Sequence, residues 1–298
     1  MKSGFVAVVG RPNVGKSTLV NRLVGTKVAI TSSRPQTTRN AIRGVVNGPD
    51  PENPEYQIVF VDTPGLHKPR TELGRRLNSL VYGTLAESDA VLFMIDATAP
   101  IGPGDRLIAE RLIEAKADAV VAVNKIDKTS KAKVAEQLLK AAEWPFEDIY
   151  PISAVTGEGV AEMVQGLVER LPEGPLYYPV GMVTDQPESF IVAEIIREKF
   201  LERLRDELPH SLAVRIEEID QRDDGLIDIF ADVIVERKSQ KGIVIGEGAS
   251  LLKKAGSEAR EELEIILGDR VNLQLRVKVE KDWQRHPQLL DRLGFEKT

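Results

Sequence analysis

The sequence predicts an α/β unit, with a mostly parallel sheet and helices on both faces, followed by a smaller α+β unit. Three observations predict it. Short apolar, β-rich runs recur through the first half with helical stretches between most of them, the pattern of a parallel sheet covered by helices. Residues 171–179, LPEGPLYYP, then place three prolines and a glycine together and break that pattern. After them an amphipathic helix and alternating strands follow, in an order that does not continue the first sheet. The expected limits are 1–172 for the first unit, 173–185 for a linker and 186–298 for the second unit with its C-terminal tail.

Bulk composition narrows the chemistry. The 298 residues, 42% of them hydrophobic, can bury two ordinary cores. There is no cysteine, which excludes thiol nucleophiles, disulfides and zinc–thiolate sites and fits a reducing compartment. No apolar run approaches the roughly 20 residues of a bilayer span. The first strand begins by Phe5, which leaves no usual room for a secretory signal. The expectation is a cytoplasmic protein. A net charge of −6 gives no bulk sign of nucleic acid.

Phe5 to Val9, FVAVV, reads as a buried strand, and Lys16 to Val24 as a helix. Between them GRPNVGKST (10–18) matches the phosphate-binding loop, Gly-x-x-x-x-Gly-Lys-Ser. Backbone N–H groups must curl round an anion there, so Gly10 and Gly15 keep the approach clear. Lys16 adds charge at the outer phosphates and Ser17 a hydroxyl for Mg²⁺. Arg11, Pro12, Asn13, Val14 and Thr18 complete the stretch expected to line the nucleotide. The polar segment TSSRPQTTRN (31–40) follows. Thr37 or Thr38 could join the Mg²⁺ shell only while the terminal phosphate is present, as in a switch.

Strands are expected at 57–62, 90–96, 119–125 and 149–153, and helices near 72–87, 102–116, 131–143 and 159–170. Ligands in such sheets bind beyond the carboxyl ends of the strands, and three strand ends carry chemistry. Asp62 ends one and, with Thr63, Pro64 and Gly65, forms VDTPG. Its carboxylate can hold Mg²⁺ through water, and Gly65 offers an N–H to a terminal phosphate. NKID, Asn124, Lys125, Ile126 and Asp127, ends another. One carboxylate can accept both the N1–H and the 2-amino group of guanine, while adenine would leave it facing a lone pair. Ser153, Ala154 and Val155 end the third, where the Ala154 N–H could meet the guanine carbonyl. Together these specify GTP or GDP rather than ATP. Ras-like enzymes place a water-orienting glutamine after the Asp-x-x-Gly turn. Here that position is Leu66, so slow intrinsic hydrolysis is expected. His67 reads as an exposed loop residue, and His210 and His286 have no constellation around them.

In the second unit, 189–208 reads as a helix, 212–220 and 226–237 as antiparallel strands about a turn at 222–225, then a short helix, a glycine loop at Gly246, a helix from near Ala249, and a strand at 271–279. That order resembles a type II KH module, which clamps single-stranded nucleic acid with a Gly-x-x-Gly loop. The unit is acidic at −5, yet 237–260 is locally +4. Arg237, Lys238, Lys241, Lys253 and Lys254 around the loop form the expected RNA-binding patch. The loop itself is Gly246, Glu247, Gly248, Ala249, with alanine in place of the last glycine. Alanine is expected to fit there in a right-handed helical conformation.

With GRPNVGKST, TSSRPQTTRN, VDTPGLHKP, NKID, PISAVTG, AEIIREK, IVERKSQKGIVIG and the terminal LGF in view, nearly the whole chain resembles the Era family of bacterial GTPases. The resemblance implies a P-loop GTPase domain followed by a type II KH domain, with Lys16, Thr37, Thr38, Asp62, Gly65 and Asn13 in hydrolysis and Ser17, Thr37, Thr38 and Asp62 around Mg²⁺. It implies binding to the 3′ end of small-subunit ribosomal RNA in 30S subunit assembly, with no DNA, and peripheral inner-membrane association as in some members. In related GTPases with asparagine at the place of Asn13, a K⁺ ion sits beside the phosphates. The alternative reading is a GTP-dependent docking or membrane-surface switch whose second domain binds protein.

Overall fold

The computed structural model describes residues 1–32, 37–65, 71–204, 208 and 211–295. Its first unit is a six-stranded sheet in the order β2-β3-β1-β4-β5-β6. The strands are β1 (Lys2–Gly10), β2 (Ile42–Gly48), β3 (Tyr56–Asp62), β4 (Ala90–Asp96), β5 (Ala119–Asn124) and β6 (Ile149–Ile152). All pairings are parallel except that of β2 with β3. The inner strands are near-continuous Val, Ile, Leu and Phe because both faces are covered. Helices α1 (Lys16–Val24) and α5 (Val160–Arg170) lie over one face, and α3 (Pro103–Glu114) and α4 (Lys131–Ala141) over the other, with α2 (Glu72–Glu87) between β3 and β4 in the chain.

Strand β2 is not announced by the sequence. Its IRGVVNG is too mixed to read as apolar or alternating, because it is an edge strand whose pattern yields to local packing. Gly44 is required there: a Cβ would lie 2.7 Å from Val24 and 2.8 Å from Val20 of α1.

The second unit has a three-stranded sheet, β7 (Ala213–Gln221), β8 (Ile227–Val235) and β9 (Val271–Val279), with β7 antiparallel and β9 parallel to β8. Helices α6 (Glu188–Leu201), α7 (Lys238–Ile245) and α8 (Ser250–Leu267) cover it. The order α-β-β-α-α-β is as expected, but α6 stops at Leu201 rather than running to 208. Leu204 and Leu208 remain buried in the same core.

The expected tail is structured. Trp283, Leu290 of α9 (Pro287–Arg292) and Phe295 pack with Leu73 and Leu77 of α2 and with Ala213 and Ile234 of the second sheet. Trp283 is fully buried and donates to the Ser211 carbonyl at 3.0 Å. Arg76 of α2 pairs with Asp291 and donates to the Phe295 carbonyl. The chain between α5 and α6 is also tied down. Gln57 accepts from the N–H groups of Tyr177 and Tyr178 at 2.8 and 3.0 Å, and Val45 N–H donates to the Val183 carbonyl at 2.9 Å. No helix among the described residues is long and apolar enough to cross a membrane.

Candidate active site and nucleic-acid interface

The loop after β1 turns on residues that only its sequence permits. Gly15 has φ 105° and caps α1, and a Cβ there would lie 2.3 Å from Asn124 Nδ2. Asn13, at φ 64°, takes the left-handed conformation that asparagine tolerates. Lys16 is buried and donates to the Gly10 and Arg11 carbonyls, both at 3.2 Å. Burial lowers its pKa, against the attraction of Asp62.

Three oxygens meet beside it. Ser17 Oγ donates to Asp62 Oδ2 at 2.6 Å, Thr38 Oγ1 to the same oxygen at 3.2 Å, and the two hydroxyls are 3.1 Å apart. Asp62 is fully buried and its Oδ1 has no partner among the described residues. Burial raises its carboxyl pKa, opposed by Lys16, Ser17 and Thr38. A buried carboxylate with one orphaned oxygen, beside two hydroxyls, is a donor set that suits a hard, oxygen-seeking cation such as Mg²⁺. Of the two candidate threonines, Thr38 supplies the hydroxyl to this cluster. Thr37 lines the cleft, and its carbonyl is held by Arg197 of α6.

At the far end of the cleft, Asn124 Nδ2 donates to the Val14 carbonyl at 2.7 Å and its Oδ1 accepts from Ala154 N–H at 2.9 Å. The Ala154 N–H, expected to meet the guanine carbonyl, is engaged here by Asn124 Oδ1. Lys125, at φ 71°, places its ammonium 2.6 Å from both the Asn13 carbonyl and Asp96 Oδ2, tying β4 to the phosphate loop. Asp127 accepts from Ser153 Oγ at 2.7 Å through Oδ1 and is otherwise exposed toward the cleft.

The cleft encloses about 320 Å³ and gathers Pro12, Asn13, Gly15 to Thr18, Gly65, Asn124, Lys125, Asp127, Ala154 and Val155. Other expected residues act from behind it. The Arg11 side chain pairs with Asp105 at 2.8 Å, and its carbonyl accepts from Lys16. Thr63 donates to the Val8 carbonyl at 2.8 Å and is buried. Val14 and Ile126 pack in the two cores. Leu66 and His67 lie outside the described residues.

Ile30, Thr31, Ser32 and Lys128 line the cleft without having been expected to. Thr31 and Ser32 open the polar segment that the sequence already marked. Asn21 is a further unexpected contributor: it accepts from Val28 and Ala29 N–H at 3.0 and 2.9 Å and so sets the entry to that segment. Nothing in the helical pattern of α1 marks Asn21.

The second candidate surface is open. Gly246 has φ 74°, and a Cβ on it would lie 2.9 Å from Leu251 N. Gly248 has φ 58° with free space around it. Ala249 has φ 63° and ψ 24°, left-handed rather than the right-handed conformation expected. The chain needs consecutive left-handed residues to swing from α7 into α8, so geometry overrides the preference of alanine, at a cost of about 1–2 kcal/mol. Lys238, Lys241, Lys253 and Lys254 form no ion pair among the described residues, nor does Arg237, whereas Arg260 is taken up by Glu264 at 3.1 Å. Glu258 pairs with Arg203, which leaves exposed Glu247 as the acid within the loop.

Comparison with known proteins agrees with both units. A family model described as 50S ribosome-binding GTPase matches residues 5–125, and one described as KH domain matches residues 207–284. GTPase Era of Mycobacterium sp. strain JLS is 54% identical over 300 residues, 99% of each chain. GTPase Era of Mycobacterium tuberculosis strain H37Rv is likewise 54% identical, over 98% of each. Among solved structures, a tyrosine-to-alanine variant of Aquifex aeolicus Era bound to GDP·AlF4⁻ superposes with a TM-score of 0.92 at 41% identity, covering 99% of this chain and 100% of that one. Era in complex with MgGDPNP and nucleotides 1506–1542 of 16S ribosomal RNA superposes with a TM-score of 0.92 at 42% identity, covering 99% of both.

Proposed function

This chain belongs to the GTPase Era family, and we propose that it binds and slowly hydrolyses GTP in the cleft of its first unit while its second unit holds the 3′ end of small-subunit ribosomal RNA during 30S assembly. The observation that carries the reading is the Ser17, Thr38 and Asp62 oxygens drawn within 2.6–3.2 Å beside Lys16. Mg²⁺ held there supplies charge neutralisation at the outer phosphates. Lys16 and the N–H groups at the start of α1 bind the phosphate chain. Asp127 selects guanine with the carboxylate oxygen that Ser153 leaves open, and the stem of Lys125 covers the base. Thr38 reports the terminal phosphate, and Gly65 offers it an N–H.

The unit limits that suit this division of labour are 1–172 and 186–298, joined through 173–185. Hydrolysis is to be assisted by K⁺ beside the phosphates, accepted by the Asn13 amide oxygen. Faster turnover in K⁺ than in Na⁺ at equal ionic strength, abolished in Asn13→Ala with GDP affinity kept, supports that ion; equal rates in the two salts reject it. The protein acts in the cytoplasm, and any membrane association is peripheral and checked by liposome flotation.

The deciding experiment mixes the full chain with labelled RNA ending in the small-subunit 3′ sequence, once with GDP and once with a GTP analogue. Tight, salt-sensitive binding that responds to the nucleotide is expected. Nucleotide binding without RNA binding would favour the protein-docking alternative.

A further inference from the structure

Helix α6 packs in the core of the second unit, yet two of its consecutive side chains reach into the first. Arg197 and Glu198 are each 2% exposed. Glu198 Oε1 accepts the Thr31 N–H at 2.8 Å, and its Oε2 pairs with Lys27. Arg197 Nη2 donates to the Thr37 carbonyl, while Glu194 fixes the guanidinium through two hydrogen bonds of 2.7 Å. Thr31 and Thr37 both line the nucleotide cleft. Thr37 precedes Thr38, whose hydroxyl is 3.2 Å from Asp62. Arg39, next in the chain, returns to the second unit, donating to the Leu212 carbonyl at 2.8 Å and lying over the Trp283 ring at 5.9 Å.

One turn of α6 therefore presents a buried acceptor to one backbone group of the cleft wall and a buried donor to another. Charge-assisted bonds in such a site are stronger and more directional than exposed ones. Within residues 37–39 the Thr38 hydroxyl is aimed at the metal-side oxygens, and the Thr37 carbonyl and the Arg39 side chain on either side of it are held by the second unit.

We infer that Arg197 and Glu198 are positioning residues for GTP hydrolysis: the second unit completes the active site of the first by fixing Thr31 and Thr37, and through Thr37 the hydroxyl of Thr38. The inference rests on the GTPase reading of the cleft. By linkage, a triphosphate that draws Thr38 inward tightens the seat of α6, and a partner that shifts α6 weakens the triphosphate. A diphosphate, which makes no demand on Thr38, is indifferent to both.

The test uses the full chain. GDP affinity, affinity for a non-hydrolysable GTP analogue at saturating Mg²⁺, single-turnover hydrolysis and the thermal midpoint are compared. Arg197→Met and Glu198→Ala should leave GDP affinity within about twofold while analogue affinity and hydrolysis each fall about tenfold, the effect of removing one charge-assisted bond. Glu198→Gln, whose amide oxygen still accepts the Thr31 N–H, should recover most of the deficit. GDP and analogue affinities falling together, or an unchanged ratio between them, would overturn the inference and leave ordinary packing. Should Arg197→Met not fold, Arg197→Lys keeps the stem and the charge, and the same ratio decides. A wild-type chain that fails to hydrolyse GTP would instead overturn the reading of the cleft, so the two failures are distinguishable.

Discussion

Two loops in this molecule are shaped to meet phosphates, and they do so in opposite ways. Residues 10–17 are enclosed: Lys16 is buried, Gly15 cannot accept a Cβ without striking Asn124, and the loop carbonyls of Asn13 and Val14 are braced by side chains from another strand end. Residues 246–249 are open: Gly248 has free space, and the neighbouring lysines form no ion pair among the described residues. The first loop is thus organised before its ligand arrives, whereas the second offers a backbone track and solvated charge. Preorganised groups give steep, geometry-dependent effects when broken; solvated charges give graded, salt-dependent ones.

The largest expected effect is at Lys16. Lys16→Ala should weaken triphosphate binding on the order of 100-fold, because it removes a desolvated, charge-assisted hydrogen bond to the phosphates. A fluorescent-nucleotide titration reads it, and a merely severalfold weakening would break the contrast. Next is Asp127→Asn, expected to cost GTP about tenfold or more and to favour xanthosine triphosphate, whose 2-oxo group an amide N–H₂ can meet. GTP binding equal to wild type would sink the guanine assignment.

On the open loop, Lys253→Glu with Lys254→Glu should weaken RNA binding and flatten its log–log salt dependence by roughly 0.7 for each phosphate no longer neutralised. Nucleotide affinity should stay put. An unchanged salt slope would transfer the second unit to protein docking.

Acid acts in opposite directions on two buried carboxylates, Asp232 and Asp62. At Asp232 burial alone would raise the carboxyl, but hydrogen bonds involving Arg276, Glu217 and Lys278 outweigh it and hold the pKa well below the usual range. A lowered folded value means stability present above the unfolded pKa and lost as pH falls through the folded one. Asp62 is raised instead, so acid relieves its burial. Trp144 sits with Phe93 and Phe146 in the first unit, and Trp283 against the second. Asp232→Asn should flatten the loss of stability below the ordinary carboxylate range, read by Trp283 fluorescence in an acid titration; an acid profile identical to wild type would refute the assignment. The smallest effect is Ala249→Gly, which relieves a left-handed alanine and should add about 0.5–1 kcal/mol in denaturant melts, with RNA affinity equal or better.

Much of the catalytic cleft was legible because each part is a short motif whose residue types are dictated locally. A phosphate loop needs its two glycines, a lysine and a hydroxyl within a few positions, and the Asp62 and Asp127 turns need strand ends that their own apolar runs announce. The second unit was legible in element order for the same reason of periodicity. The edge strand β2 was not, since its glycine serves the packing against α1 rather than any strand preference. Ala249 was misread because residue preference favours a right-handed alanine, while the chain path from α7 to α8 demands a left-handed one.

Ligand chemistry was already written in the linear chain: a guanine nucleotide, a hard cation, and a basic loop for RNA. How those residues are held came only from the folded arrangement. Folding turned the Arg11 side chain to Asp105, engaged the Ala154 N–H with Asn124, and set the Thr38 hydroxyl against Asp62. It also seated Arg197 and Glu198 of one unit on the cleft wall of the other. The physical reason is distance along the chain. A motif fixes groups a few residues apart through backbone geometry, but Arg197 meets Thr37 across a separation of 160 residues, where only the packing of two complete cores can set the meeting point.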